Sequence, residues 1–422
     1  MTEKKLPVGR IVRLARLARV GIRSGAGFVT SKEAQGAALQ AAELLGNLRG
    51  LAAKAGQLAS YIDGLVPEAH QEAYARALRV LQDAAPRSSP EDIRAVVESE
   101  LSAPIGELFS EWNDDALASA SLGQVHAARL PDGRNVAVKV QHPGIERAVE
   151  ADLSNAFVLE KLAGALTPRA MNSRAMLDEL ALRFREELDY RLEAERQERS
   201  RALFAERKDI HVPKVIAERS STRVLTSELV SGQTLEQAAA APEELRASWA
   251  GALWRFVFTS YLAAGELNVD PHPGNYFFQP DGSVTFIDFG CVLPVEAEHL
   301  GGARAMHRAA AAGDMRAFQL GVRQVAQTVP GDYEDALTHY MQRCFAPMLE
   351  RPYRVTRPYV TEIVAAVQDM KMFAFKKRSR FTSFPANVLF VNRLQVGFYS
   401  VLARLDASVD YSAIDREILG RL

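Results

Sequence analysis

Three polar side chains in one short stretch have the types and spacing that phosphoryl transfer requires. Asp270 begins the run Asp-Pro-His-Pro-Gly-Asn, which ends at Asn275, and Asp288 begins Asp-Phe-Gly thirteen residues after Asn275. In phosphoryl-transfer sites one Asp orients the acceptor hydroxyl, an Asn further on holds a metal ion, and the Asp of Asp-Phe-Gly holds the Mg²⁺ that bridges the phosphates. We therefore predict that Asp270 is catalytic and that Asn275 and Asp288 bind Mg²⁺.

Apolar segments frame both motifs and predict the hairpin that would carry them. The run 276–278 leaves the first motif, and the run 284–287 leads into Asp288. Short apolar runs of β-branched and aromatic residues, bounded by turn residues, are typical of strands. Such a hairpin presents acid, amide and acid at its two ends. The alternative is two solvated turns with incidental acids.

Upstream, Lys139 is the single charge in the run Val-Ala-Val-Lys-Val over 136–140. A lysine in a strand of this kind holds the α- and β-phosphates in kinases, so we predict that Lys139 is catalytic and contacts the nucleotide. A buried ammonium needs a counter-ion, because an unpaired buried charge is costly. We expect Glu193, in the helical run 185–199, to supply it. The alternative is a solvated strand lysine.

The segment before this strand is predicted to cover the phosphates. The stretch 118–126 reads Ala-Ser-Ala-Ser-Leu-Gly-Gln-Val-His. Small Ala and Ser replace most glycines of a Gly-rich loop, so the predicted cover is stiffer. Glu228 and Val230 lie in a predicted hinge over 228–232, where backbone groups would meet adenine. The residues of the cover expected to contact nucleotide are Ala118, Ser119, Ala120, Ser121, Gly123, Gln124 and Val125.

Together these motifs resemble the UbiB/AarF family of atypical kinase-like proteins, whose eukaryotic members support coenzyme Q biosynthesis. The segment 54–57, Lys-Ala-Gly-Gln, is similar to the Lys-x-Gly-Gln signature of the family, and 187–194 is similar to its Glu-x-Asp motif. The resemblance covers roughly residues 40–400 and implies ATP or ADP with Mg²⁺ as cofactors. Two residues depart from the expected pattern: Ser119 stands where the family usually has Ala, and Asn268 stands where kinases have His.

The resemblance implies an α+β, kinase-like fold with two lobes. The predicted organisation has a basic amphipathic segment over 1–30 and a helical extension with the Lys-x-Gly-Gln signature over 31–89. An N-lobe with a helical insertion follows over 90–230. A mostly helical C-lobe over 231–422 carries the catalytic loop and Asp-Phe-Gly.

The resemblance also implies a regulatory role for the extension. In the family, the Lys-x-Gly-Gln segment covers the cleft where a peptide substrate would dock. The alternative for its lysine is an ordinary solvated helix side chain. The residues predicted to be regulatory are Lys54, Gly56, Gln57, Glu187 and Asp189.

The acids of the Glu-x-Asp motif are predicted to lie on one helix. Asp189 and Glu193 are four residues apart and would share a face, whereas Glu187 would be displaced from Glu193 by roughly 120°. One helix would then serve two lysines. Glu193 would pair with Lys139, Glu187 would pair with Lys54, and Asp189 would assist either pair or a metal ion.

Five arginines recur at three- and four-residue spacing over 10–23, interleaved with apolar residues. This pattern predicts a basic amphipathic helix without the long apolar stretch of a signal peptide. It would lie on an anionic membrane surface, dock on the kinase fold, or remain disordered. A mitochondrial targeting segment would look similar, although Glu3 and the lack of a Ser-rich run weaken that interpretation.

Composition agrees with a large globular enzyme: 48% of the 422 residues are hydrophobic and 24% are charged. The net charge of −1 gives no field that would attract nucleic acid. Cys291 and Cys344 lack metal spacing, and Cys291 is expected to pack in the interior. No apolar run approaches eighteen residues, so we expect a cytoplasmic or peripheral membrane protein without a transmembrane span. The sequence does not indicate the oligomeric state.

The segment after Asp-Phe-Gly bears on the substrate. No Ala-Pro-Glu closes a peptide platform, and His272 replaces the lysine expected between the catalytic acid and the amide. Both features argue against fast phosphorylation of peptides in trans. The predicted function is a Mg²⁺-dependent atypical kinase or ATPase that supports ubiquinone biosynthesis or lipid-linked metabolism at a membrane surface, with a lipid or quinone precursor as ligand. The alternatives are a small-molecule kinase of the aminoglycoside or choline type and a non-catalytic nucleotide-sensing scaffold.

Overall fold

A computed structural model describes residues 88–119, 122–163, 173–373 and 388–422. The predicted basic segment over 1–30 and nearly all of the extension over 31–89 lie outside the described residues. Individual predicted residues that also lie outside them are Lys54, Gly56, Gln57, Ala120 and Ser121.

The secondary structure is mixed, as predicted, with many helices and several small sheets. In chain order the described helices are α1 (Pro90–Leu101), α2 (Ile105–Leu108), α3 (Ile145–Ala163), α4 (Ser173–Glu186), α5 (Tyr190–Leu203), α6 (Leu235–Ala238), α7 (Glu243–Thr259), α8 (Ala297–Ala312), α9 (Met315–Ala326), α10 (Asp332–Cys344), α11 (Ala346–Leu349), α12 (Arg357–Phe373), α13 (Val388–Leu405) and α14 (Tyr411–Gly420). The described strands are β1 (Glu111–Ser119), β2 (Gly123–Arg129), β3 (Asn135–Gln141), β4 (Ile210–His211), β5 (Val224–Glu228), β6 (Glu266–Asn268), β7 (Tyr276–Phe278), β8 (Val284–Phe286), β9 (Val292–Pro294), β10 (Tyr353–Arg354) and β11 (Ser408–Val409). No helix in the described ranges is both long and apolar enough to cross a bilayer.

The described residues form two compact units, each made of several chain segments. The first unit contains the described residues before 164, Leu177–Glu195 and Lys214–Leu229. The second unit contains the described residues of Thr167–Met176, Arg196–Pro213 and Val230–Leu422.

A four-stranded antiparallel sheet, in the order β1-β2-β3-β5, organises the first unit. Val136, Val138 and Val140 alternate along β3 and pack, fully buried, against Ile93 and Val97 of α1. Because side chains alternate between the two faces of a strand, Lys139 lies on the opposite face. The β3 pattern therefore separates an apolar face from a face that carries one cation.

Gly123 at the start of β2 permits a close approach of neighbouring chain segments. A Cβ atom on this residue would lie 2.2 Å from the carbonyl oxygen of Val140 and 2.9 Å from the hydroxyl of Tyr190. No other residue type fits without movement of the backbone, which explains why a glycine remains in an otherwise glycine-poor loop.

The prediction of one continuous helix over 185–199 is wrong. Helix α4 ends at Glu186 and α5 begins at Tyr190, so Glu187 and Asp189 lie in the connection. The argument that placed these two acids on defined faces of the helix of Glu193 therefore does not hold.

Local hydrogen bonds explain this break. The carboxylate of Asp189 accepts from the backbone N–H of Arg191 at 3.0 Å, which is the behaviour of an Asp at the start of a helix. The N–H of Tyr190 donates to the carbonyl of Thr222 at 2.9 Å instead of to a helical partner. Asp189 thus acts as a helix-initiating residue, and a new helix starts from it.

Three small sheets lie in the second unit: β4-β8-β7, β6-β9 and β10-β11. The antiparallel pair β7-β8 confirms the predicted hairpin, with Tyr276 opposite Phe286. Phe286 and Phe289 are buried and pack around Phe256 of α7, at 3.7 and 6.3 Å between ring centroids. Cys291 is also buried, as expected from the sequence.

Asp415 of α14 joins two other helices of this unit in its interior. One carboxylate oxygen accepts from the indole N–H of Trp254 in α7 at 3.4 Å, and the other lies 2.5 Å from Nδ1 of His307 in α8. The His307 and Asp415 side chains are each 1% exposed. Helix α14 therefore completes the polar interior of the second unit.

An ion-pair network ties β4 to α7 and α14. Asp209 accepts from Arg207 at 2.9 and 3.0 Å and also pairs with Arg255, and both arginines contact Glu417. Burial alone would raise the pKa of the Asp209 carboxyl. The hydrogen bond from Arg207 and the charges of Arg255 and Arg207 outweigh that effect and hold the pKa below its ordinary 3.8.

We predict that this network makes the protein more stable at neutral than at acidic pH. The pKa of Asp209 is lower in the folded than in the unfolded state, so its stabilisation is present above the unfolded pKa and is lost as the pH falls through the folded pKa. Asp209→Asn should lower the free energy of urea unfolding at pH 7 and flatten its decrease between about pH 5 and pH 3. The control is Asp332→Asn, at an exposed residue in the first turn of α10. An unchanged pH profile in Asp209→Asn would contradict the assignment.

Candidate active site

The first unit pairs Lys139 with Glu193, as the sequence predicted. The Lys139 Nζ atom donates to Oε1 of Glu193 at 2.6 Å, and the two side chains are 20% and 3% exposed. The ammonium also lies 5.0 Å from the ring centroid of Tyr190, the first residue of α5. A charge-assisted hydrogen bond of this length fixes the position of both side chains. Because the Lys139 side chain is still 20% exposed, a ligand in solution could reach its ammonium group.

The predicted phosphate cover is only partly described. Ala118 and Ser119 end β1, and Val125 of β2 lies directly opposite Lys139 in the β2-β3 register. Cross-strand neighbours share a face of the sheet, so Val125 is beside the ammonium. The hydroxyl oxygen of Ser119 is buried and has no hydrogen-bond partner within the described residues. A phosphate oxygen is a suitable acceptor for it.

Gln124 has a different environment from the rest of the predicted cover. Its side chain is 2% exposed; Oε1 accepts from the N–H of Ser88 at 3.1 Å, and Nε2 lies 2.9 Å from Nε2 of His126. These partners hold the Gln124 side chain inside the unit. Its part in nucleotide binding stays a prediction, and the structure indicates that the side chain stabilises β2.

The hinge prediction concerns the end of β5. Glu228 is the last residue of β5, and its N–H donates to Lys214 O at 2.9 Å, while the N–H of Leu229 donates to Asn135 O at 3.1 Å. Val230 follows as the first residue of the second unit after Leu229. Both N–H groups therefore serve the fold, and adenine binding at Glu228 and Val230 stays a prediction.

The backbone of Asp270 is held from both sides in the second unit. Its N–H donates to Oδ1 of Asn268 at 3.2 Å, and its carbonyl accepts from Nδ2 of Asn275 at 3.0 Å. His272 turns toward its own loop, where Nδ1 accepts from the N–H of Gly274 at 2.9 Å. The loop thus fixes the position from which the Asp270 carboxylate can act.

Asn275 and Asp288 are brought together by the β7-β8 hairpin. The N–H of Ile287 donates to the carbonyl of Asn275 at 3.1 Å, so Asp288 follows directly after the residue that faces Asn275. One oxygen of Asp288 accepts from the N–H of Gly290 at 3.0 Å. The two side chains offer a carboxylate and an amide oxygen, and Mg²⁺ prefers oxygen ligands.

The described residues contain no group of three or more His, Cys, Asp or Glu side chains that could hold a metal ion. In nucleotide sites Mg²⁺ is usually bound through one or two carboxylates together with phosphate oxygens and water. The Asp288 carboxylate and the Asn275 amide oxygen are donors of the kind that such an ion takes, and their role as metal ligands stays a prediction.

Asn268 joins the two motifs, and the sequence did not indicate this role. Its Nδ2 donates to the carbonyl of Asp288 at 2.7 Å, while its Oδ1 accepts from the N–H of Asp270. An amide can donate and accept at once, so one side chain connects both acids of the site. Its position two residues before Asp270 was the available signal, because kinases place a His there.

The amide of Asn268 gives this link a property that an imidazole would lack. A side-chain amide donates and accepts without a change of charge in the physiological range. A histidine at the same place would have to keep one tautomer and would gain a second donor on protonation. The connection that Asn268 makes between Asp270 and Asp288 is thus independent of pH in the physiological range.

Gly397 in α13 is a second residue that the sequence did not indicate. A Cβ atom at this position would lie 2.4 Å from Cγ of Pro271, the residue after Asp270. Helix α13 therefore lies directly against the loop that begins at Asp270. Only a residue without a side chain permits this distance.

The segment between Asp-Phe-Gly and the next α-helix is short. Strand β9 begins at Val292, and α8 begins at Ala297. The residues 291–296 are too few to form a peptide-binding platform of the protein-kinase type.

Comparison with known proteins connects these features to one family. Residues 80–319 match the ABC1 atypical kinase-like domain. The chain is 27% identical over 383 residues to the atypical kinase coq-8, mitochondrial, of Caenorhabditis elegans, and the match covers 88% of this chain and 49% of that protein. It is 30% identical over 332 residues to the atypical kinase COQ8B, mitochondrial, of Rattus norvegicus, and that match covers 74% and 62%. The match thus spans between about half and three-fifths of the length of these relatives.

A solved structure is similar over nearly the whole chain. The erythromycin complex of a Mycobacterium tuberculosis protein has a TM-score of 0.64 and 29% sequence identity, and the match covers 92% of this chain and 97% of that one. The similarity extends the likeness beyond residues 80–319.

We predict that Gly397→Ala displaces the loop that begins at Asp270. Gly→Ala in a helix normally stabilises by up to about 1 kcal/mol, but overpacking costs about 1–3 kcal/mol, so the variant should be less stable to urea. The matched control is Gly301→Ala in α8, where the nearest atom to the new Cβ is a flexible Gln324 side chain at 3.6 Å. The control should be neutral or stabilised. A Gly397→Ala protein as stable as the control would show that the loop yields without cost.

Proposed function

The chain belongs to the ABC1 atypical kinase-like family, which includes the UbiB/AarF proteins, and on that premise we propose that it binds ATP or ADP with Mg²⁺ and transfers the γ-phosphoryl group of ATP. The proposed setting is ubiquinone biosynthesis or related lipid-linked metabolism at a membrane surface. The resemblance to the UbiB/AarF family supports the ubiquinone setting, and two relatives of the chain are named as mitochondrial atypical kinases.

One observation carries the proposal: the Lys139–Glu193 ion pair. The Glu193 side chain is only 3% exposed, and its Oε1 lies 2.6 Å from the Lys139 Nζ. A lysine that merely faced solvent would not require such a buried partner. Kinases need this lysine–glutamate pair in place before the lysine can hold the α- and β-phosphates. Burying an ion pair is costly. Because the Lys139 side chain is nevertheless 20% exposed beside the buried Glu193, the arrangement supports binding of a charged ligand by the ammonium.

The proposed roles of the other residues follow from their positions. The Asp288 carboxylate and the Asn275 amide oxygen would hold Mg²⁺, which neutralises phosphate charge when bound. Asp270 would orient the acceptor hydroxyl or a water molecule. Because the Asp270 backbone is fixed by Asn268 and Asn275, its carboxylate needs little rearrangement during the reaction.

The acceptor is proposed to be small, lipid-linked or water. Two features argue against peptides as phosphoryl acceptors in trans. The segment between Asp-Phe-Gly and α8 is short, and His272 accepts a hydrogen bond from its own loop. A lipophilic ligand is further supported by the similar protein that was solved with erythromycin. Comparing ATP consumption with a hydrophobic phenol, with erythromycin and with anionic liposomes tests this choice, and no consumption in any condition favours a nucleotide-sensing scaffold.

The predicted two-lobe organisation and the extension over 31–89 belong to the same proposal. The extension would act as a regulatory cover, with Lys54 facing Glu187 or Asp189. Gly56 and Gln57 would complete the Lys-x-Gly-Gln signature. The Glu187 side chain belongs to a residue that is only 9% exposed, and a cation beside a carboxylate in such a position would stabilise its charge.

We predict that Asp288→Asn abolishes the Mg²⁺-dependent part of thermal stabilisation by ATP or ADP. A ligand at a hundred times its dissociation constant stabilises the native state by about 2.7 kcal/mol, which is readily measured by differential scanning fluorimetry. The matched control is Asp281→Asn, at the turn of the same hairpin, where the acid caps Ser283. Full Mg²⁺-dependent stabilisation in Asp288→Asn would refute the metal assignment.

We predict that Asp270→Asn stops ATP consumption while nucleotide affinity changes by less than about threefold. A residue that orients the acceptor acts in the transition state and contributes little to binding of the ground state. Turnover by a coupled assay and affinity by calorimetry should therefore separate. Equal losses in both would instead make Asp270 a structural or metal-binding residue.

A further inference from the structure

Arg196 of α5 reaches the backbone of Asp-Phe-Gly. Its side chain belongs to a residue that is only 5% exposed, and Nη1 donates to the carbonyl of Gly290 at 2.9 Å. Both residues lie in the second unit. A buried guanidinium is costly unless its N–H donors have acceptors. The Gly290 carbonyl is such an acceptor, so the contact stabilises both Arg196 and the turn.

The turn from Asp288 to Cys291 is held at successive backbone groups. The carbonyl of Asp288 accepts from Asn268 at 2.7 Å, and the N–H of Gly290 donates to the Asp288 carboxylate at 3.0 Å. The carbonyl of Cys291 accepts from the N–H of Val269 at 2.9 Å. Arg196 takes the Gly290 carbonyl, which completes the series. Of these contacts, the one from the Gly290 N–H reaches the Asp288 carboxylate itself.

Among these contacts, the one from Arg196 comes from a helix side chain with a full charge. Removal of Arg196 would leave the buried Gly290 carbonyl without this donor and would release one end of the turn. The hydrogen bond from Gly290 N–H to the Asp288 carboxylate would then lie in a turn with more freedom. Metal binding depends on the orientation of the Asp288 carboxylate. Binding of the nucleotide base does not depend on that orientation.

We infer that Arg196 is a positioning residue that fixes the Asp288–Gly290 turn and thereby sets the Mg²⁺ affinity of the site. The second half of this inference rests on the proposed nucleotide function. The first half, the fixing of the turn, does not. Arg196 acts through Asp288 and touches neither metal nor nucleotide in this role.

The test uses the full chain with Arg196→Met, which keeps the apolar length of the side chain and removes its donors. Two quantities are measured: the Mg²⁺ concentration for half-maximal thermal stabilisation by ADP, and amide hydrogen exchange of the peptide spanning 287–293 without ligand. We expect at least a tenfold rise in both the Mg²⁺ requirement and the exchange rate. ADP affinity without Mg²⁺ should change by less than twofold.

Two further variants serve as controls. Arg201→Met removes an exposed arginine from the same helix, where it pairs with Glu198, and should change neither quantity. Arg196→Lys retains a charged N–H donor of similar reach and should recover part of both. Should Arg196→Met fail to fold, Arg196→Gln, whose side chain is too short to reach the Gly290 carbonyl, takes its place with the same expected rises.

The outcomes separate the two proposals. Unchanged exchange and an unchanged Mg²⁺ requirement in folded Arg196→Met would overturn the inference. Equal losses of ADP affinity with and without Mg²⁺ would also overturn it, because they indicate a general structural role. A wild-type protein without any Mg²⁺-dependent stabilisation would refute the proposed function and the metal half of the inference, and the exchange measurement would then decide the turn alone.

Discussion

The carboxylate of Glu193 is almost completely buried, and the arrangement of the first unit makes that burial tolerable. A buried carboxylate needs a cation and further polar contacts, because desolvation otherwise exceeds the gain from pairing. Lys139 supplies the cation at 2.6 Å. Asp189 starts α5 at Tyr190, which places Glu193 in the first turn of the helix, where the helix dipole favours an acid. Gly123 allows β2 to approach both Val140 and Tyr190. The burial of the Glu193 carboxylate therefore depends on three features together: the break between α4 and α5, Gly123 and the ion pair with Lys139.

The sequence indicated the parts of the site that depend on local pattern. The β7-β8 hairpin follows from apolar runs bounded by turn residues, and the Lys139–Glu193 pair follows from a charge in an apolar strand that needs a partner. The helix break at Asp189 could have been predicted too, because Asp is a preferred helix-initiating residue. Periodicity alone made the run look continuous.

Other parts of the site could not be predicted, for physical reasons. Arg196 and Gly290 are separated by 94 positions in the sequence, and nothing in the local composition of either segment indicates the other. The contact of Gly397 with Pro271 could not be predicted either. A glycine inside a helix indicates a close contact, but the sequence does not show which residue makes it. Such contacts depend on tertiary packing, which one sequence does not determine by inspection.

The position of Asp415 also has a consequence for how the protein is made. This residue closes the interior of the second unit, yet it follows Asp288 by about 130 residues. At 5–20 residues per second, a ribosome needs roughly 6–25 s to synthesise that interval. Until Asp415 is synthesised, Trp254 and, once it has been added, His307 lack their acidic partner. The interior of the second unit therefore cannot be completed during synthesis of the hairpin that carries Asp288, but only after this later interval has been added.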